Sequence, residues 1–133
     1  MLKSYRKKKR FKERRVRIKN RNKRIEIGLT YIYGIGLFIS SCTANGNVIS
    51  GLSSNTAFID GISLQSNSQT ANNNIISGIS STTGASYGID VYSVSSATAN
   101  NNNISGLTSG NSAVGIWCSA ASTVNFTADT IRN

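Results

Sequence analysis

Histidine and proline do not occur in this sequence, cysteine occurs twice, and five acidic residues stand against fifteen lysines and arginines. Each shortage closes off a reading. Without histidine, and with Cys42 and Cys118 far apart, there is no ordinary ligand set for zinc. No cofactor-binding motif is present, so no cofactor is expected. Asp60, Asp90 and Asp129 fall at different places in their units and read as solvated turn acids rather than a catalytic pair, although stacking of adjacent units could bring Asp60 and Asp90 near each other. The most apolar stretch, residues 27–39, is too short for an ordinary transmembrane helix. With no proline, nothing along the chain interrupts a strand ladder.

The charge that is present is unevenly placed. Residues 1–24 carry 14 of the 15 basic side chains and one acid, Glu13, for a local net charge of +13. The remaining residues carry Arg132 against Glu26, Asp60, Asp90 and Asp129, a net of −3. The first 26 residues therefore read as a basic, disordered N-terminal arm, with too few apolar side chains to bury a core. Such an arm can hold phosphates on nucleic acid or an anionic surface through counterion release. It lacks interleaved aromatics and a docking motif, so nucleic acid is not the expected partner.

What fills the rest is a repeat. Gly34-Ile35-Gly36-Leu37, Gly61-Ile62-Ser63-Leu64, Gly88-Ile89-Asp90-Val91 and Gly115-Ile116-Trp117-Cys118 open at a constant step of 27 residues. Each opening leads to an Asn-x-Ile step at Asn47/Ile49, Asn74/Ile76 and Asn102/Ile104, degenerate at Asp129/Ile131. A Ser-Gly-(Leu/Ile) exit follows the first three. The asparagine step is 27 and then 28, and the extra residue is offset by a shorter stretch between Gly106 and Gly115. Length changes confined to turns, with the apolar positions held in phase, are what a stacked coil requires.

A unit of this size cannot shield its own apolar face, but identical neighbours can. Residues 27–133 are thus expected to form about four coils, at 34–60, 61–87, 88–114 and an incomplete 115–133. Three interior columns are expected: Ile35, Ile62, Ile89 and Ile116; Leu37, Leu64, Val91 and Cys118; and Ile49, Ile76, Ile104 and Ile131. Asn47, Asn74 and Asn102 are expected at a turn, as a ladder of amides bonding coil to coil. Asp129 cannot donate, so the ladder should weaken there. Cys42 and Cys118 would lie nearly three coils apart, roughly 14 Å at ~4.8 Å per coil, too far for a disulfide.

The Gly-Ile-x-(Leu/Val) strand, the Asn-x-Ile step and the Ser-Gly-(Leu/Ile) exit resemble the repeats of right-handed parallel β-helices, the fold of pectin-lyase-like proteins. The Thr-Ala-Asn-Asn-Asn pattern is similar to Asn/Ser/Thr-rich repeats of large bacterial surface and secreted proteins. The resemblance covers about residues 30–133. It implies an all-β solenoid serving as a non-catalytic structural or adhesin-like segment outside the cell, with glycans or surface proteins as partners. The alternative is a remnant of a polysaccharide lyase or hydrolase. Clustered carboxylates would favour that enzyme, and the scattered acids count against it.

Two further expectations concern the edges of the repeat. Ile39-Ser40-Ser41-Cys42 resembles a bacterial lipoprotein cleavage box, which would lipidate Cys42, tie the protein to a membrane and make it an outer-membrane lipoprotein; yet Ile35 and Leu37 already fit the repeat. The last unit stops short of its closing loop, so further coils or a partner are expected on the C-terminal end of the stack. Tyr31, Tyr33, Tyr87, Tyr92 and Trp117 can stack on sugar rings if they share an outer face. Because Tyr92 and Trp117 hold non-equivalent places in their units, the expectation is scattered surface aromatics.

Overall fold

A computed structural model describes residues 31–132, and the basic arm at 1–26 lies outside the described residues. Each coil is a circuit of short strands. The first contains β1 (Tyr31–Leu37), β2 (Thr43–Asn45), β3 (Val48–Ser50) and β4 (Ser53–Ser54). The second contains β5 (Phe58–Leu64), β6 (Gln69–Asn72), β7 (Ile75–Ser77) and β8 (Ser80–Ser81). The third contains β9 (Ser86–Tyr92), β10 (Ser96–Asn100), β11 (Asn103–Ser105) and β12 (Thr108–Ser109), and the fourth β13 (Ala113–Ser119), β14 (Thr123–Thr127) and β15 (Thr130–Arg132).

Every strand pairs in parallel with its counterpart one coil away, giving four sheets: β1-β5-β9-β13, β2-β6-β10-β14, β3-β7-β11-β15 and β4-β8-β12. The described residues contain no helix. The chain is a parallel β-solenoid of about four turns.

Register sets like above like. Ile35 pairs with Ile62, Ile62 with Ile89, and Ile89 with Ile116. Leu37, Leu64, Val91 and Cys118 run in a second file, and Ile49, Ile76, Ile104 and Ile131 in a third. Ala44, Ala71 and Ala99 form a fourth on the neighbouring sheet. Through the middle coils these side chains are buried, together with Ile59, Ile79 and Val94. In the fourth coil no described residue lies on the far side, and there Cys118 is exposed and Ile131 is 50% exposed. Those two positions keep their register but have no dry neighbour on that side.

The step of 27 has a steric cause at the opening glycine. A Cβ at Gly61 would stand 2.5 Å from the carbonyl oxygen of Gly88 and 2.6 Å from Ile76 Cγ2. Gly34 and Gly88 meet the carbonyl oxygen of the next coil and the isoleucine of their own at similar distances. At these points the backbones of successive coils and the isoleucine column leave room for a hydrogen alone. At the Ser-Gly exits the reason differs, because Gly51, Gly78 and Gly106 adopt φ of 69°, 62° and 61°.

The asparagine ladder sits inside the wall. Asn74 and Asn102 are buried, and the left-handed residue at each corner is the one before them, Asn73 and Asn101. Nδ2 of Asn47 donates to Asn74 Oδ1 at 3.0 Å, and Nδ2 of Asn74 donates to Asn102 Oδ1 at 2.9 Å. The backbone N–H groups of Asn47 and Asn74 donate to the same two oxygens. The second amide proton of Asn74 reaches Ala44 O, and that of Asn102 reaches Ala71 O. At the last rung Asp129 Oδ1 accepts from both N and Nδ2 of Asn102 at 2.8 Å, while its Oδ2 is buried without a partner. A carboxylate therefore completes the rung below it and supplies no donor of its own.

The extra residue of the third coil lies in the turn between β9 and β10. It separates Val91 from Ala97 by one more residue than Leu64 from Gln69, positions that pair across the coils. Val94 of that turn folds inward and is buried.

Candidate functional site: an acidic aromatic cleft

The sheet β1-β5-β9-β13 breaks its in-out alternation where its glycines sit, and this local kink decides which side chains leave the core. On β5, Ile59, Ile62 and Leu64 are core residues, whereas Asp60 and Ser63 belong to the opposite face. Two outward files result, one residue before each glycine and two after it. The first contains Tyr33, Asp60 and Tyr87, and the second contains Ser63, Asp90 and Trp117.

These files bring together aromatic residues that the sequence leaves scattered. Tyr31 stacks on Phe58 with ring centroids 5.2 Å apart and on Tyr33 at 6.0 Å. Phe38 meets Tyr33 edge-on at 5.4 Å. One strand further along the stack, Tyr87 lies on Trp117 at 5.7 Å and 21° between planes. Apart from Phe38, the two groups, with Tyr92, Gln65, Asp90 and Ser119, line a cavity of about 390 Å³. The expected scatter of aromatics is thus corrected: the sheet gathers them into one cleft, with Tyr31, Tyr92 and Trp117 exposed.

The acids are corrected in the same way. Asp60 is 1% exposed and Asp90 9% exposed, and neither lies in a turn. They occupy adjacent strands of the sheet that carries the rings. Among the described residues, neither oxygen of Asp60 nor Oδ1 of Asp90 has a hydrogen-bond partner in good geometry, the Ser63 hydroxyl being close to Asp60 but poorly placed. Burial, reinforced by the nearby charge of Asp90, pushes the Asp60 carboxyl up from 3.8 to about 7, and the Ser63 hydroxyl pulls less strongly the other way. Burial raises Asp90 to about 6. Burial and then the two carboxylates also push the Tyr87 phenol upward. A carboxyl without a donor in a dry site holds its proton, because only the neutral form escapes the desolvation cost.

No described cation neutralises this cleft. Arg132, the single basic side chain among the described residues, is exposed on β15, in a different sheet. Among the described residues no cluster of three or more His, Cys, Asp or Glu side chains stands ready for a metal ion. Asp129 lies away from the cleft, on the asparagine ladder. Cys42, between β1 and β2, is a partly buried free thiol whose Sγ is 3.9 Å from Ser40 O.

The signal for the cleft was present in the sequence but required counting by column. Comparing Asp60 and Asp90 by their offsets from glycine makes them non-equivalent. Placing both offsets on the outer face of one kinked strand makes them neighbours. No protein-family model, no curated protein and no solved structure matches the chain.

Proposed function

We propose that this β-solenoid is a non-catalytic, adhesin-like segment that binds glycans through the cleft on its first sheet, displayed on or secreted from a bacterial cell. The observation that carries the reading is the pair of ring stacks, Tyr31/Tyr33/Phe58 and Tyr87/Trp117, facing one 390 Å³ cavity. Pyranose rings present apolar C–H faces that lie flat on aromatic side chains, and Gln65, Asp90 and Ser119 offer polar groups for hydroxyls. The rigid stack beneath keeps the rings in place before a ligand arrives, which lowers the ordering cost of binding. Surface display also fits the polar Ser/Thr/Asn face of the other sheets. Further coils on the C-terminal end belong to the same proposal; lipidation of Cys42 is an alternative to it, because the cleavage it requires would remove β1 with Tyr31 and Tyr33.

Titration calorimetry of the full chain against neutral and amino-sugar oligosaccharides tests the reading. Trp117→Ala should weaken binding by roughly 0.5–1.5 kcal/mol, the scale of one lost stacking contact. Binding unchanged in that variant would remove the cleft as the site.

A second reading rests on the two raised carboxyls, since a glycosidase needs an acid that is still protonated near neutral pH. Asp60 is sealed from solvent, however, and a general acid must touch the glycosidic oxygen. Release of reducing ends from an oligosaccharide that the cleft binds would establish hydrolysis in place of binding.

A further inference from the structure

We infer that the ligand of this cleft carries a positively charged ammonium group, seated over the ring faces and against Asp90, with Asp60 behind it. The inference rests on the glycan reading and narrows it to amino sugars whose amine is free.

Three observations converge on the charge of the ligand. Asp90, nine-tenths buried, lines the cavity with its Oδ1 buried behind that lining, and among the described residues neither this oxygen nor either oxygen of Asp60 on the adjacent strand has a partner. Buried polar atoms in folded proteins ordinarily find a partner, so these oxygens leave an uncompensated negative potential behind the cavity wall when the carboxyls ionise. Among the described residues the lining contains no basic side chain to offset it. Tyr31, Tyr33, Phe58, Tyr87, Tyr92 and Trp117 add the negative faces of their π systems to the same space. Rings around a carboxylate attract an ammonium ion and repel a uronate, so the cleft discriminates by charge as well as by shape.

Among the described residues, the groups facing the pair are Tyr33 from β1, Ser63 and Gln65 from β5, Tyr87 and Tyr92 from β9, and Trp117 from β13. None is cationic. An ammonium ion of fixed charge should therefore bind more tightly as the carboxyls ionise, by about tenfold between pH 5 and pH 8. The carboxyls are largely protonated at the lower value and ionised at the higher one.

The test titrates the full chain near neutral pH with a glucosamine tetramer, an N-acetylglucosamine tetramer, a galacturonate tetramer and tetramethylammonium. The expected result is tighter binding of the glucosamine tetramer than of its acetylated form by roughly tenfold, with no binding of the galacturonate. Asp90→Asn should erase that preference, and Trp117→Ala should weaken both tetramers while leaving the preference in place. Circular dichroism confirms that each variant is folded. Equal affinity for the two amino-sugar tetramers would overturn the ammonium inference and leave the glycan reading standing. Binding of tetramethylammonium alone would overturn the glycan reading and keep the charge preference. No binding of any probe would remove both.

Discussion

Replacing Asp60 by asparagine isolates the electrostatic cost that the cleft imposes on the fold. The folded carboxyl titrates near 7, above its unfolded value of 3.8. Below 3.8 both states hold the proton and there is no penalty. Between the two values the unfolded chain releases its proton while the folded chain retains it, so stability falls as pH rises. Above 7 both states are ionised, and the accumulated penalty levels off at roughly 4 kcal/mol. Asparagine brings its own cost, an amide with no partner in a buried site, but that cost does not depend on pH. Comparing variant with wild type at two pH values cancels it. From about pH 5 to about pH 8 the difference should move in favour of Asp60→Asn by roughly 2.5 kcal/mol. For an ordered region of this size that is a relative shift in melting temperature on the order of 10 °C. Urea unfolding of the full chain at both pH values measures it. A stability difference that stays constant to within about 0.5 kcal/mol would refute the claim that Asp60 is a buried, unpaired carboxyl.

The other perturbations address the stack itself. Gly61→Ala places a methyl 2.5 Å from Gly88 O and 2.6 Å from Ile76 Cγ2, so denaturant titration should show a loss of about 3 kcal/mol or more. Asn74→Ala strips the partners from Asn47 N–H and Ala44 O inside the wall, and the same assay should show a loss of roughly 3 kcal/mol. Ala128 holds φ of 55°, which a Cβ disfavours, so Ala128→Gly should gain roughly 0.5–1 kcal/mol. A loss on that substitution, measured by thermal melting, would count against the left-handed corner.

Much of the fold was legible because the chain repeats its own constraints. A glycine that recurs every 27 residues is the mark of a backbone that cannot tolerate a Cβ, and the isoleucines after it share a face by simple alternation. The position of the asparagines was legible, but their setting was not. The residue before each one takes the left-handed corner, which lets Asn74 and Asn102 turn into the wall and become buried donors. The cleft was the least legible part. Asp60, Asp90, Tyr33, Tyr87 and Trp117 are not repeated residues, so comparing units treated them as variation. Their common feature is a side of the strand, and that side is set by the kink at the glycine.

By itself the sequence determined the coil length, the identity of the stacking files and the confinement of length changes to turns. These follow from local sterics and from the need of each apolar face for an identical neighbour. The tertiary structure alone decided the chemistry of the outer surface. Parallel pairing set residues from different coils about 4.8 Å apart, and only in that juxtaposition did two isolated acids become a dry, unpartnered pair beneath a shared set of rings.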